Sequence, residues 1–369
     1  MKAVIFGTTL IGIMGVSIVS PALPDIQRAL NLNEFQVGLL ITFFTLPGIF
    51  FAPLMGFLAD RYGRGLILSI SLVTFGLSGF ACAFANFETM LILRFVQGVG
   101  GSALTSLAVT LIGDIYSGAE RVKMLGYNAS VLSVGLSIYP LLGGFLAGFD
   151  WRLPFVASLA SIPIGILALR FKQGRVGGSF KLEFNGDIVV AYLLGFSVFL
   201  FTYGVFYFQI PLMLESRFGA TSIVRGFVQS STLILTALVA SKLNFFVKRF
   251  GTYGTVSLGF ASYGFSLLTI PLSSSIFTAT LFTMIYGFGH GTVLPALQNL
   301  LVERTGVENR ATVMTIYNSM IRIGQTLGPI VASLTGYLAF TLSSLLSFAL
   351  SVFVLLSKVI YGCGSPDRT

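Results

Sequence analysis

Gly56-Phe57-Leu58-Ala59-Asp60-Arg61-Tyr62-Gly63-Arg64-Gly65-Leu66-Ile67-Leu68 is a short polar turn between two long apolar runs. It gathers an acid, two arginines and several glycines into a sequence that otherwise avoids charge. A run that enters such a turn must leave it in the opposite direction. Glycine permits close approach and positive φ there, where a side chain would clash. Charged residues make up only 9% of the chain and hydrophobic ones 55%, with a mean hydropathy of +0.91. A soluble domain carries about 25% charged residues. So few charges cannot cover a water-facing surface, so the chain reads as an integral membrane protein.

A bilayer core takes about 20 apolar residues per helix, which leaves room for roughly a dozen spans. The hydropathy pattern places them at 3–23, 36–57, 65–85, 88–112, 122–148, 152–171, 188–210, 222–246, 253–272, 275–300, 311–335 and 337–358. Lipid leaves the edges of an open sheet unpaired, and a barrel would show short alternating segments instead. The expected fold class is therefore all-α, with the amino-terminal run after Lys2 kept as an uncleaved first helix. Cys82 and Cys363 give no disulfide framework.

The excess of positive charge, net +9, falls on one side of this topology. Lys2, Arg61, Arg64, Arg121, Lys123, Lys248, Arg249, Arg304, Arg310, Lys358 and Arg368 share it, whereas Arg28, Arg152, Arg217 and Arg225 lie opposite. The positive-inside rule makes the first side cytoplasmic, both termini included. Residues 172–187 are glycine-rich and charged and read as a cytoplasmic tether between an amino-terminal bundle, 1–171, and a carboxy-terminal bundle, 188–369. The two halves repeat. Gly98 and Gly287, Gly100 and Gly289, Arg121 and Arg310, Gly135 and Gly324, and Pro140 and Pro329 each lie 189 residues apart. Gly38 and Gly226 match within one residue of that offset.

The spacing G-x-L-x-D-R-x-G-R of the opening turn resembles the loop between the second and third helices of the major facilitator superfamily. The resemblance extends over nearly the whole chain. It implies two pseudo-symmetric six-helix bundles that rock about a central site to alternate access. It also implies a conformational latch made of Gly56, Asp60, Arg61, Gly63 and Arg64, with Asp60 capping the start of the eleventh helix. Physically, a carboxylate suits a helix N-terminus and its free N–H groups. Asp114 ends the fourth helix nearby and could pair with Arg61 or Arg64. Lys248-Arg249-Phe250-Gly251-Thr252-Tyr253 is a degenerate echo of the turn without the acid. The plainer reading of the turn is a loop that only sets topology.

Arg94 lies inside an apolar span with Gln97 three residues on, in a segment that looks like the family's R-x-x-Q-G motif. A charge there must face the bundle interior, a cavity or a partner, or else snorkel to the interface. The resemblance implies a part in coupling or substrate contact. The fifth helix carries Gly126, Gly135, Tyr139, Pro140, Gly143 and Gly144. This looks like the glycine–proline motif of antiporters and exporters, with Tyr139 in place of one glycine. Glycine and proline bend a helix and let a neighbour approach, so Gly135, Pro140, Gly143 and Gly144, with Gly324, Gly328 and Pro329 in the second half, are candidate hinges.

Thr315, Asn318, Arg322 and Gln325 form one polar stripe on the eleventh helix, with Arg322 near mid-span. No acid falls inside a membrane run to neutralise it, so Asn318, Arg322 and Gln325 join Arg94 and Gln97 as coupling or substrate residues. His290, the one histidine, joins them because imidazole changes charge near neutral pH; a lone histidine is otherwise a hydrogen-bonded structural group. Asn128, Tyr203, Tyr207, Gln229 and Thr232 are candidate cavity walls, as are Arg225 and Thr236. Exporters of the drug:proton class often carry an acid in the first helix. Here Leu23-Pro24 is present but Val16 holds the acid's place, and Asp25 reads as a helix-end residue.

With one histidine and no phosphate-binding loop, no enzyme constellation, metal site, cofactor or nucleic-acid partner is expected. The reading is a secondary active transporter of the plasma membrane, working as a monomer in the lipid bilayer. Its expected partners are a small amphipathic or drug-like substrate, exported, and protons. An anionic-metabolite exchanger, symporter or uniporter is the second reading, and a non-transporting receptor-like protein the third.

Overall fold

The computed structural model describes residues 1–171, 186–306 and 309–362, without the side chains of 310, 311 and 357–362. Most of the tether, Cys363, Arg368 and the side chains of Arg310 and Lys358 therefore lie outside the described residues. What is described is helical, with no strand. The runs are α1 (Lys2–Ala29), α2 (Glu34–Tyr62), α3 (Arg64–Cys82), α4 (Phe87–Ile115), α5 (Gly118–Ala147) and α6 (Leu153–Ala168). The second half supplies α7 (Gly186–Phe218), α8 (Ser222–Ala240), α9 (Leu243–Leu272), α10 (Ile276–Glu303), α11 (Arg310–Thr335) and α12 (Leu338–Gly362).

Among the described residues nine helices are long and apolar enough to cross a membrane. The other three fall short for different reasons. α6 is apolar but short, with a 3-10 stretch at Ala157–Ala160 in its middle. α10 and α11, at 28 and 26 residues, are long enough but carry the polar residues noted above. Several breaks are written in proline: α1 passes through a 3-10 turn at Ser20–Ala22 around Pro21, and α2 restarts at Pro47. Proline at the first helical position loses an N–H that has no partner there anyway.

Tight turns need caps. Asn33 and Gln36 exchange side-chain and backbone hydrogen bonds of 2.9 Å at the start of α2. This capping box satisfies two donors that a helix start leaves open. At the opposite end of α2 the chain reverses in one residue, Gly63, at φ 100°. Its echo Gly251, at φ 71°, interrupts the run from Leu243 to Thr269 in the same way.

The sequence repeat is a repeat of packing. A Cβ on Gly98 would overlap the Phe44 carbonyl of α2, and one on Gly287 the Thr232 carbonyl of α8. Gly100 lies against Phe75 N and Ser71 O of α3, and Gly289 against Gly259 O of α9. Gly135 meets Leu10 and Ile13 of α1, and Gly324 meets Phe196 O and Leu200 N of α7. Equivalent glycines thus admit equivalent neighbours, because bare backbone lets two helices close to van der Waals contact.

The chain forms two compact units. One joins Met1–Ser179 with Thr202–Ser230 and Gln325–Leu334; the other comprises Phe180–Phe201, Ser231–Gly324 and Thr335–Thr369. The first unit therefore takes the ends of α7 and α8 that flank the 219–221 turn, and part of α11, onto the amino-terminal helices.

Candidate functional site

At the Gly63 end of the first unit, Arg64 is the centre of the signature turn. It is buried, donates Nη1–H to Asp114 and to Thr110 O (3.3 Å), and donates Nη2–H to Asp60 (3.3 Å). Asp114 thus pairs with Arg64, and α2, α3 and α4 are tied at one point. Arg61 is exposed, its guanidinium 5.4 Å from the Tyr62 ring. Gly56 has open space around it, with no atom within 4 Å of where a Cβ would stand. Arg121 closes the end of α4 by donating to Gly113 O (2.6 Å) and Tyr116 O (3.0 Å).

The second unit rebuilds this tie with different chemistry. Tyr253 stands 189 residues after Arg64 and donates its hydroxyl to Asp187 (3.0 Å). Arg304, one residue beyond the counterpart of Asp114, pairs with the same carboxylate at 3.1 Å. The acid missing from the echo is supplied by α7. Asp187, assigned to the tether on the sequence, is buried in the first helical turn, where a carboxylate meets free N–H groups.

Arg94 is fully buried. Its Nε donates to Leu40 O (3.0 Å), both Nη groups to Gly15 O (3.1 Å), and Nη1 also to Gln97 (2.8 Å). The Phe44 ring lies 4.4 Å from its Cζ. It does not snorkel; it holds main-chain carbonyls of α1 and α2 from α4. Asn128, also buried, accepts a hydrogen bond from Thr9 (2.6 Å) and ties α5 to α1.

The Asp25 end of the same unit is a closed seam. A Cβ on Gly226 of α8 would overlap the Pro140 carbonyl of α5, and Gly38 of α2 lies equivalently against Pro329 O of α11. Gly143 meets the Ile18 carbonyl and Gly144 meets Ser222 O. Gly204 rests on Gly328 O. Hydrogen bonds sew the same seam: Leu141 N–H to Ser230 Oγ at 2.9 Å, and Thr42 Oγ1–H to Thr326 O at 3.1 Å. Gln229 donates to Ser20 Oγ (2.8 Å) and to Phe206 O (3.0 Å). Ser20 donates to Tyr207 O, and Ser17 to the Tyr207 hydroxyl at 3.4 Å. Tyr207 and Gln229, cavity-wall candidates on the sequence, are packed into this contact. Thr202–Gln209 of α7 is π-helical, and the Phe206 and Tyr207 carbonyls within it accept these side-chain donors.

In the second unit, the Tyr317 and Gly324 face of α11 packs on α7. Thr315, Asn318, Arg322 and Gln325 lie around the helix from that face, and Asn318 is exposed while Arg322 is half-buried. His290 Nδ1 pairs with the Tyr263 hydroxyl at 2.7 Å, and its ring stacks on Tyr286 with Phe199 at its edge. Thr232 is buried where Gly287 meets it. No group of His, Cys, Asp and Glu that could hold a metal occurs among the described residues.

The family pattern of the Major Facilitator Superfamily matches residues 5–186 and 191–361. The chain belongs to the major facilitator superfamily. It is a membrane transporter, not an enzyme. It is 28% identical to a bacillibactin exporter of Bacillus subtilis (strain 168) over 379 aligned positions, covering 94% of this chain and 93% of that one. It is 27% identical to the class B tetracycline resistance protein of Escherichia coli, covering 87% of this chain and 85% of that one. A crystal structure of the nucleoside transporter NupG superposes with a TM-score of 0.78 at 13% identity, over 96% of this chain and 97% of that one.

Within this superfamily member, sequence reasoning missed one charged cluster. Arg225 is completely buried and donates to Pro21 O (2.8 Å), Ala220 O (3.1 Å) and the carboxylate of Asp25. Asp25 also pairs with Arg28 at 2.6 Å, and Arg28 with Glu215 at 3.1 Å. One signal was available: Arg225 lies four residues before Gln229, on the face of α8 that also carries Thr232 and Thr236. Arg225 was a cavity-wall candidate and Asp25 a helix-end residue on the sequence, so their pairing was not seen.

Proposed function

We propose that the protein is a proton-coupled exporter of small amphipathic compounds, spanning the plasma membrane twelve times with both termini in the cytoplasm. The observation that carries it is the closed seam at the Asp25 end. Alternating access needs an end that closes completely and can part again. This seam is made of glycine–proline backbone contacts, which separate without unlocking interdigitated side chains. On the proposed topology it faces outward, so the conformation is the one that takes up cargo from the cytoplasm. The similarity to a bacillibactin exporter and to a tetracycline resistance protein along most of the chain supports the direction.

Arg94, Gln97, Asn318, Arg322, Gln325 and His290 are the proposed coupling and substrate residues. Gly56, Asp60, Arg61, Gly63, Arg64 and Asp114 form the latch on the cytoplasmic side. Gly135, Pro140, Gly143, Gly144, Gly324, Gly328 and Pro329 serve as hinges, and Asn128, Tyr203, Tyr207, Gln229 and Thr232 become cavity walls when the seam parts. A monomer suffices for this cycle.

One observation favours a second reading, an anionic-metabolite carrier. Arg322 stands at the middle of α11, while every described acid lies at or near a helix end. Substrate-induced pH change in proteoliposomes separates the two. Lipophilic compounds and organic anions are tested on the wild type, Arg322→Ala and His290→Ala. The exporter reading expects proton counter-flux with lipophilic compounds, diminished in His290→Ala. Anion transport without proton movement, abolished in Arg322→Ala, sinks it in favour of the carrier.

A further inference from the structure

His290 is placed by three helices of the second unit. On α10 it follows the exposed Leu281 by about two and a half turns, so it lies on the opposite side of the helix, away from lipid. Its ring is half-buried. Nδ1 pairs with the Tyr263 hydroxyl of α9 at 2.7 Å. Tyr263 is fully buried among the rings of Phe201, Phe260 and Tyr286, and His290 is the one partner its hydroxyl has among the described residues. The other ring nitrogen, Nε2, has no partner among the described residues and is not closed off by packing. Phe199 of α7 stands beside the imidazole, with ring centroids 6.2 Å apart. Tyr286, one turn back on α10, stacks on it. Among the described residues no acid, lysine or arginine acts on the imidazole electrostatically.

We propose that His290 is a neutral hydrogen-bond donor to cargo, held in its Nε2–H form by Tyr263, and that the cargo it selects is an aromatic compound bearing an oxygen acceptor. A buried O–H that lacks an acceptor is costly. Tyr263 has only Nδ1 to turn to, so the hydroxyl donates and Nδ1 accepts. A neutral imidazole carries one N–H, which then sits on Nε2. That is the accessible nitrogen, and the chain offers it no oxygen. A second proton would make Nδ1 a donor too. The tyrosine hydrogen would be forced off towards rings, and no carboxylate is at hand to offset the charge. The imidazole therefore stays neutral and asks its ligand for an acceptor. Phe199 supplies the apolar aromatic surface beside it, against which a planar ring packs offset or edge-on. An aromatic ketone, ester or phenolate satisfies both features, whereas a hydrocarbon satisfies only the second. The inference rests on the reading of His290 as a coupling or substrate residue, and it assigns the residue to the substrate.

The test is binding without flux. Purified protein in lipid nanodiscs is equilibrated with radiolabelled 2-acetylnaphthalene, or with 2-isopropylnaphthalene, which has nearly the same shape without the oxygen. Retention is counted above that of empty nanodiscs. The wild type is expected to hold the ketone about tenfold more tightly than the hydrocarbon, the worth of one hydrogen bond. His290→Phe keeps a ring and loses the donor, so it should bind the two compounds alike, with hydrocarbon binding unchanged as the sign that it folds. His290→Gln keeps an N–H and should retain part of the preference. The chain has one histidine, so nitrogen-15 histidine labelling of protein purified without a histidine tag reports this ring alone. Spectra from neutral to mildly acidic pH are expected to show one bare and one protonated nitrogen, the bare one shifting in Tyr263→Phe. An imidazolium at neutral pH, an Nδ1–H form, or a ketone preference that survives in His290→Phe overturns the proposal. So does a wild type that retains neither compound. Neither measurement needs a gradient. A protein that exports nothing and moves no protons, yet shows both signatures, loses the exporter reading and keeps the subsite.

Discussion

Arg94 and Arg64 are both buried arginines, yet their surroundings assign them different work. Arg94 spends its donors on carbonyls and an amide, so in this conformation it is a tie between α1, α2 and α4. Removing it strands the Gly15 and Leu40 carbonyls, each a loss of about 1–3 kcal/mol. Arg94→Ala should therefore lower the thermal midpoint in detergent by several degrees. Arg94→Lys should recover only part, because an ammonium cannot reproduce the planar fork. Arg64 leans on two acids unequally. Asp60 is half-exposed and its pair with Arg64 contributes about 0–1 kcal/mol, whereas loss of the Asp114 hydrogen bond costs about 1.5–3 kcal/mol. Asp114→Asn is thus expected to lower the midpoint clearly and Asp60→Asn hardly at all. If Asp60 instead serves the opposite conformation, Asp60→Asn should still cut transport sharply. Equal drops in midpoint for both variants would contradict this division. Sequence alone narrowed Arg94 to the bundle interior or a snorkel to the interface, since a charge in an apolar run avoids lipid. It could not tell a coupling arginine from a carbonyl tie, because the acceptors are main-chain atoms that leave no mark in side-chain spacing.

Helices show the same contrast between what a pattern encodes and what only packing decides. The repeat of glycines was legible at a fixed offset, and each pair proves to admit the equivalent neighbour, α2 for Gly98 and α8 for Gly287. The tie at Asp187 was not legible, because its acid comes from a different helix than in the first half and the offset is lost. Two substitutions test the glycines. Gly143→Ala pushes a methyl into the Ile18 carbonyl and should destabilise the seam, seen as a lower thermal midpoint in detergent. Gly56→Ala adds a methyl into open space and should leave the midpoint unchanged. Since the signature keeps glycine there without a neighbour in this conformation, Gly56→Ala should nevertheless slow transport, by hindering a conformation in which another helix arrives. Unimpaired transport in Gly56→Ala would remove Gly56 from the latch.

For the molecule as a whole, the membrane class, the helical fold and the family were readable from composition and one turn. The conformation was not, because hydropathy records which faces are apolar and says nothing of which end is shut. The compact units show the seam by taking Thr202–Ser230 and Gln325–Leu334 away from the rest of their own half. One boundary between the units falls between Phe201 and Thr202, where α7 passes from α-helical to π-helical. A membrane helix cannot simply bend at such a point, since every main-chain group must keep a partner in lipid. A π stretch offers another way, because its hydrogen bonds span one residue more than those of an α-helix. Passing that surplus residue along the helix exchanges one bonding register for the next without leaving a group unpaired. The junction at Phe201 and Thr202 is therefore a place where α7 can change bonding register with its main chain still paired.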